Sequence, residues 1–347
     1  MHISDSQDNP ALMPAPSLSV LIVTYNTREL LDGCLRSLRR SLPPDSEIIV
    51  IDNASTDDTV EHVRREFPEI ILATCDENLG FAAGMNRGIT LVQGKFLFFL
   101  NPDTLLPRGT VESLIKTLAE HPRAAIAGAQ MTYADGQPQP SSFKFPTLIR
   151  EFWNLLPEIK YFLRLDLLGA RFRRNERDPH NATGNPRRLK VESISGAAFL
   201  ARVEVMRDAG GFDDGFFLYH DERDLCRRLW KTGREVWLDT GAQVIHFDAQ
   251  FTRYRRSRMP DSPVLEYRLL SMDRLWQKHK SATMHQLWRS QTRGLLTFRC
   301  FFLVLSLPFL GKKSFQRISH LWRARKLLKG KSILGRDLEG GWATKRA

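Results

Sequence analysis

Acidic and amide side chains in this sequence fall in short clusters just after apolar runs, where an α/β protein exposes ligand-binding groups. Asp52-Asn53 follows one such run and Asn101-Pro102-Asp103 follows another. Carboxylates that face a phosphate need a divalent cation between them, because like charges repel. Asp103 has the hard oxygen chemistry that suits Mg²⁺ or Mn²⁺. Taken alone, Asp103 also serves as a cap before a helix, and Asp52 as a turn residue. A third cluster, Asp221-Glu222-Arg223-Asp224, places three carboxylates within four residues at the start of a helix. Such acids favour the positive end of the helix dipole. They also offer a general base, since one carboxylate projecting into a cleft can take a proton from a hydroxyl. Asp221 and Asp224 are three residues apart and share a face, whereas Glu222 points elsewhere.

The elements that must position these groups can be read from periodicity. Ser19–Thr24, Glu47–Ile51, Ile70–Thr74, Lys95–Leu100 and Ala124–Ala129 are apolar runs that read as buried parallel strands. Helical patterns lie between them. One runs to Leu42 after a cap at Asn26 or Thr27, and one spans Thr59–Phe67 after Ser55 to Asp57. A third spans Phe81–Leu91 after the turn Asn78-Leu79-Gly80, and a fourth runs from Pro107 to His121. The alternation predicts a doubly wound α/β sheet whose ligands bind at the carboxyl ends of the strands. Residues 133–190 break the pattern. They carry Arg171, Arg173, Arg174, Arg177, Arg187 and Arg188 and read as a long loop or lid. Order resumes at Val191–Ala201. A helix is expected over Asp221–Thr232, strands over Arg234–Leu238 and Gln243–Phe247, and helix again over 260–284.

Several chemistries are excluded. The first strand ends in Thr24-Tyr25-Asn26 rather than a dinucleotide-binding glycine fingerprint, and no P-loop motif occurs. Cys34, Cys75, Cys226 and Cys300 form no CxxC pair, which argues against a zinc ribbon or disulfide scaffold and for a reducing compartment. With 42% hydrophobic residues in 347, the chain can build a large core.

The net charge of +12 is unevenly placed. Residues 285–347 hold fourteen basic and two acidic residues, so the whole excess lies there and the remainder is neutral. The apolar run Cys300–Gly311 is too short to span a bilayer and contains Pro308. Beyond it, Ile318, Leu321, Trp322 and Leu328 fall at helical spacing among Arg317, Arg323, Arg325, Lys326, Lys329 and Lys331. This pattern fits a helix lying on an anionic membrane surface through residues 285–331. A core helix with a solvated basic face is the alternative. No nucleic-acid recognition motif accompanies the charge. A homodimer held by the tail is compatible with the sequence. The polar N-terminus, residues 1–17, reads as a flexible leader rather than a signal peptide.

Five segments, in order, carry a resemblance: SVLIVTYNTRELLDGCLRSL, IIVIDNASTDDT, NLGFAAGMNRGI, FLFFLNPDT and GFDDGFFLYHDERDLCRRLWKTG. Together they resemble the family-2 inverting glycosyltransferases of GT-A fold, in the bacterial rhamnosyltransferase-like subgroup, over about Leu18 to Phe247. The resemblance implies a mixed GT-A sheet with a nucleotide-binding half and an acceptor half. It implies a domain at 18–259, comprising 18–130 for the donor, 131–190 as lid and 191–259 for acceptor and base. A C-terminal helical, basic amphipathic extension follows at 260–347.

By position, Thr24, Tyr25, Asn26, Asp52 and Asn53 match the surroundings of the nucleotide base and ribose. Asn78, Gly80, Gly84 and Arg87 match the loop and helix beside the diphosphate. Asn101-Pro102-Asp103 stands where the family has a DxD motif, with Asn101 replacing the first acid. Asp221-Glu222 reverses the common Glu-Asp order, so Glu222 matches the usual base and Asp221 competes with it. His246 matches a histidine near the metal or diphosphate in some relatives. The implied donor is a nucleotide-diphosphate sugar, dTDP-rhamnose or a UDP-sugar. The implied acceptor is a hydroxyl of a cell-envelope polysaccharide or lipid-linked glycan, met at the inner face of the plasma membrane. A nucleotidyltransferase would carry a glycine-rich basic signature after the first strand, which TYNTREL lacks. A binding protein without turnover draws support only from Asn101 and the reversed acid order.

Overall fold

The computed structural model describes residues 17–155, 187–247, 264–305, 321–322 and 325–328. The leader, the arginines from Arg171 to Arg177, and Ile318 with most of the basic tail lie outside the described residues.

In chain order the elements are β1 (Leu18–Thr24), α1 (Arg28–Ser41), β2 (Ser46–Asp52), α2 (Thr59–Glu66), β3 (Ile71–Thr74), α3 (Phe81–Ile89) and β4 (Phe96–Leu100). Next come β5 (Thr104–Leu105), α4 (Thr110–Glu120), β6 (Ala124–Thr132), β7 (Ser142–Phe143), α5 (Leu148–Asn154), β8 (Arg188–Val191) and β9 (Ser193–Ile194). The chain continues through β10 (Ala198–Arg202), α6 (Val203–Asp208), α7 (Asp221–Lys231), β11 (Glu235–His246), α8 (Val264–His279) and α9 (Ala282–Leu305). The main sheet runs β3-β2-β1-β4-β10-β6-β11-β5, with β8 also paired to β11. Strands β1 to β4 are mutually parallel, whereas β10 runs antiparallel to both β4 and β6.

Every residue of β1 and of β6 is buried, as a strand covered on both faces requires. One face is covered by α1, α2 and α4 through Leu31, Leu35, Leu38, Val63, Val111, Leu114 and Leu118. The other is covered by α3, α6, α7, α8 and α9 through Met85, Met206, Leu225, Leu229, Leu275, Trp276 and Leu296. Helices on both faces make this a doubly wound mixed sheet, as expected. Gly84 and Gly88 let α3 lie close on β1. A β-carbon at Gly88 would sit 2.2 Å from Leu21 Cδ1, and one at Gly84 would sit 3.0 Å from Val23 Cγ1.

Three expectations need correction. Residues 133–190 are not all loop, because β7, α5 and β8 fall within them. Arg188 belongs to β8, where it pairs with Glu120 and lies 3.6 Å from Asp239. The two strands expected after α7 are one strand, β11, with an irregularity between Asp239 and Gln243. Buried Asp239 takes up the break by accepting from Ser113 Oγ, Thr117 Oγ1 and Gly241 N. The fourth helix starts at Thr110 rather than Pro107, because Gly109 in front of it is left-handed (φ 82°).

Among the described residues, the C-terminal extension contributes two helices, α8 and α9, which pack on each other and on the body. Trp276 of α8 stacks on Trp288 of α9 with ring centroids 5.8 Å apart. Between them, buried Asp273 accepts from Arg289 Nε at 2.7 Å and Nη2 at 2.8 Å, and its Oδ1 lies 2.7 Å from His285 Nε2. Leu321 and Leu328 are buried as well. Among the described residues no helix is long and apolar enough to cross a membrane.

Candidate active site

The carboxyl ends of β1, β2 and β4 lie along one edge of the sheet. Thr24 and Asp52 are the paired last residues of β1 and β2. Asp52 Oδ2 accepts from Ser55 N at 2.9 Å, while its buried Oδ1 has no partner. Asn53 is a brace. Its Nδ2 donates to Asn78 Oδ1 at 3.0 Å and to Gly80 O at 2.9 Å, and its Oδ1 accepts from Leu79 N at 3.1 Å. Asn26 is braced likewise, its Oδ1 accepting from Thr56 N and its N donating to Ser55 Oγ. Both residues hold loops with the atoms that sequence reasoning had offered to a ligand. Tyr25 is half-buried beside them. Gly80 is left-handed (φ 84°), and a β-carbon there would sit 2.6 Å from Phe217 O, so this turn requires glycine. Arg87 is exposed, with Nη1 3.6 Å from Cys75 Sγ, near the end of β3.

After β4, the side chain of Asn101 leaves Oδ1 buried and unpartnered, while its backbone N donates to Ala197 O at 2.9 Å. Asp103 is buried, and its Oδ1 lies 3.4 Å from His246 Nε2. The pairing of β5 with β11, Thr104 opposite His246, creates this approach. Gln139 completes it. Its Nε2 donates to His246 O at 2.6 Å, and its Oε1 lies 3.0 Å from His246 Nδ1. With the amide so oriented, Nδ1 donates to Gln139 Oε1, which turns Nε2 toward Asp103. A nitrogen and a carboxylate oxygen so placed suit a shared proton or a cation. Sequence reasoning missed Gln139, a lone polar residue with no motif around it.

A second group of candidate residues stands at the start of α7. Tyr219 (φ 69°) and His220 (φ 65°) are consecutive left-handed residues without being glycine, a strained approach that sets Asp221 at the helix start. Asp221 is 3% exposed, and its Oδ2 has no partner. Burial, then the neighbouring Glu222 charge, raises its carboxyl well above the ordinary range. Burial also raises Glu222, but Arg223, with Nε 4.0 Å from Glu222 Oε1, pulls the other way. Of the pair, Asp221 therefore keeps a proton more readily and Glu222 is the better anion. Glu222 lies against Gly196, since a β-carbon there would be 3.6 Å from Glu222 Cβ. Gly196 adjoins the Ala197 whose carbonyl holds Asn101. Backbone contacts thus connect the β4 turn to the carboxyl pair.

Asp224 separates from its neighbours. It is fully buried, and although burial pushes its carboxyl up, bonds from His279, Arg228 and Lys278 hold it well below the ordinary range. The distances are 2.7 Å to His279 Nε2, 2.8 Å to Arg228 Nε and 2.9 Å to Lys278 Nζ. Asp213, in the segment before α7, is held by Arg274 and by Lys278 at 2.7 Å. These two acids tie α7 to α8.

Residues 19–208, more than half of the chain, match the model of the family described as "Glycosyl transferase family 2". The chain belongs to glycosyl transferase family 2. The match takes in the strand-end residues from Thr24 to Asp103 and stops short of Asp221, Glu222 and His246. This glycosyltransferase is 28% identical over 254 residues to an "N-acetylglucosaminyl-diphospho-decaprenol L-rhamnosyltransferase" of Mycobacterium tuberculosis (strain CDC 1551 / Oshkosh), covering 68% of this chain and 77% of that one. It is 32% identical over 113 residues to a "PGL/p-HBAD biosynthesis glycosyltransferase" of Mycobacterium bovis (strain BCG / Pasteur 1173P2), covering 31% of this chain and 44% of that one. Among solved structures, GalNAc-T7, crystallised with UDP, GalNAc and Mn²⁺, superposes with a TM-score of 0.50 at 13% identity. That likeness covers 67% of this chain and 44% of that chain, and it supports the GT-A fold alone.

Proposed function

We propose that this glycosyltransferase moves a sugar, rhamnose by analogy with its mycobacterial relative, from a nucleoside-diphosphate donor to a hydroxyl of a lipid-linked or cell-envelope glycan, inverting the anomeric centre. The observation that carries this reading is the continuity from the Asn101–Asp103 turn, through Ala197 and Gly196, to the buried pair Asp221 and Glu222. This reading takes the turn as facing the diphosphate and Glu222 as the proton acceptor, the two groups that a single displacement needs.

In this scheme Thr24, Tyr25 and Asp52 line the nucleoside, and the Asn53-braced loop 78–80 lies beside the diphosphate. Glu222 accepts the proton of the attacking hydroxyl, while Asp221, kept neutral by burial, avoids a second buried charge beside it. A single base suffices, because no covalent intermediate forms; glycosidases that cleave such bonds need two carboxyl groups. The buried, unpartnered Asn101 Oδ1 and the facing acceptors of Asp103 and His246 fit a bound divalent cation. No set of three metal-type side chains occurs among the described residues, so diphosphate and water oxygens would complete its shell. Bound there, Mg²⁺ or Mn²⁺ supplies charge neutralisation for the departing diphosphate.

The domain plan follows: a transferase body over 18–259 and an extension over 260–347. We assign the extension an anionic membrane surface. Leu287, Phe298, Phe301 and Val304 of α9 are exposed together with Trp322, within the region that holds the basic excess. Because Trp288 and Leu296 on the same helix are buried, Phe298→Ser with Phe301→Ser tests this better than truncation. Loss of co-sedimentation with anionic vesicles is the expected result.

The transferase reading is tested by a thermal-shift screen of nucleotide sugars with and without Mn²⁺, followed by mass spectrometry of the product. A donor-specific shift that needs Mn²⁺ and weakens in His246→Ala is expected. Full transfer by the Asp221→Asn, Glu222→Gln double variant would sink the assignment.

A further inference from the structure

His246 ends β11, and the sheet fixes its backbone. Ile245 pairs with Thr132 of β6 and with Leu105 of β5, and His246 pairs with Thr104. The ladder does not fix the ring. Among the described residues two side chains bond to it, Asp103 at Nε2 and Gln139 at Nδ1. All three residues are buried, so water competes little for either contact.

The orientation of the Gln139 amide follows from its neighbours. One end of it lies 2.6 Å from His246 O and 3.3 Å from Thr132 O, and only the NH₂ end can face two carbonyl oxygens. The amide oxygen is therefore the atom 3.0 Å from Nδ1, and Nδ1 donates to it. A metal-binding imidazole is neutral, so with Nδ1 donating the lone pair falls on Nε2, the atom that faces Asp103. Half a rotation about the Cβ–Cγ bond would set ring carbons against both Gln139 and Asp103. The amide thus selects one ring direction and one tautomer.

Gln139 is itself held through its backbone. Its N donates to Met131 O at 2.8 Å, and its O accepts from Gln130 Nε2 and Ser141 Oγ, each at 2.9 Å. The side chain can therefore be exchanged while these bonds keep the segment in place. The imidazole also carries an unusual share of the chemistry. Asn101 supplies an amide two residues before Asp103, where a second carboxylate would stand. Among the described residues no three His, Cys, Asp or Glu side chains gather as a metal set. A misdirected His246 ring would leave a cation with Asp103 alone.

We propose that Gln139 is a positioning residue of the transfer site, its amide clamping the His246 ring so that Nε2 stays turned toward Asp103 and open to a cation. This rests on the reading of Asp103 and His246 as cation-facing groups and extends it to a residue that touches neither donor nor acceptor. A partner on the remote ring nitrogen orients a metal-binding histidine and strengthens it as a ligand.

The test reads the metal rather than turnover. Mn²⁺ is added to the full chain with dTDP, and in parallel with UDP, and pulsed EPR measures the nitrogen hyperfine coupling of a directly bound imidazole. Wild type should show the coupling and His246→Ala should lack it. Gln139→Met keeps the volume and removes the amide, so the coupling should disappear and Mn²⁺ affinity should fall about 10- to 100-fold. Gln139→Glu separates positioning from packing. It keeps an acceptor against Nδ1 but sets its second oxygen against the carbonyls of Thr132 and His246, so the melting temperature should fall while the coupling remains. Coupling that persists in Gln139→Met, or that follows the melting temperature through both variants, would overturn the inference alone. Mn²⁺ bound to wild type without imidazole coupling, or not bound at all, would overturn the cation reading as well, leaving Asp103 and His246 to share a proton.

Discussion

At the start of α7, Asp221 and Glu222 are buried side by side, with one carboxyl oxygen unpartnered and both groups shifted toward the neutral form. Less than one turn further, Asp224 is buried with His279, Lys278 and Arg228 around it and is shifted the opposite way. The helix is one, and the sequence run is one. What differs is the neighbourhood: Asp221 Oδ2 has no partner, whereas cations from α7 and α8 surround Asp224. Burial without compensation pushes a carboxyl toward its neutral form; burial with full compensation keeps it charged and ties the helices together.

That contrast can be broken experimentally, most sharply at Glu222. Glu222→Gln should cut transfer roughly 10²- to 10⁴-fold, the range for a positioned base, while leaving the melting temperature unchanged or higher, since a buried charge is removed. Single-turnover assays and calorimetry read the two halves. A fall in stability as large as the fall in activity would place Glu222 with Asp224 instead.

Asp224→Ala should do the reverse. It leaves Lys278, His279 and Arg228 facing a void, at a cost of about 3–5 kcal/mol in denaturant titrations. Its contribution is also pH-dependent. The folded carboxyl lies below its ordinary 3.8, so the stabilisation is present above that value and fades as pH falls. The variant should therefore lose part of the wild-type acid destabilisation.

Between these regions, Gly80→Ala should cost about 1–3 kcal/mol through its left-handed backbone and the approach to Phe217. On the proposed placement of that loop beside the donor, nucleotide affinity should weaken in the same variant, read by calorimetry.

The smallest effect concerns pH and Asp221. Folded values for Asp221 and Glu222 lie above their ordinary 3.8 and 4.5. Their contribution to stability is full below those values and is lost as pH rises through the raised ones, and the acid limb of kcat/KM lies above 4.5 for the same reason. Neutral Asp221 lowers Glu222 through a hydrogen bond, so Asp221→Ala should move the limb toward higher pH, and with the raised Asp221 carboxyl gone the loss of stability should become shallower. A limb that stays in place would show that Glu222 does not feel its neighbour.

Much of the donor half was legible because each of its strands is an apolar run ending in a polar turn; β1, β2 and β4 lie within a residue or two of their expected bounds. Local pattern sufficed there. It failed where distant pairings decide the outcome. Nothing in SGAAFL announces that β10 runs antiparallel, and nothing near Gln139 announces His246, 107 residues away. The acids of α7 were visible as a set, but sorting them required His279 and Lys278 from a different helix. Helix α9 was expected as part of a helical extension, but not its bounds or its packing. Trp288 and Leu296 go inward while Phe298 and Phe301 face out, so the pattern alone could not say which residues meet the body.

The antiparallel course of β10 has an evolutionary corollary. A forward strand offers its carboxyl edge the residues that come after it, whereas this one offers Gly196 and Ala197, which come before it. A substitution at either can thus alter what meets Glu222 and Asn101 while the ladder from Ala198 to Arg202 keeps its register with β4 and β6. Variation beside the acids is thereby separated from the pairing that holds β10 in the sheet.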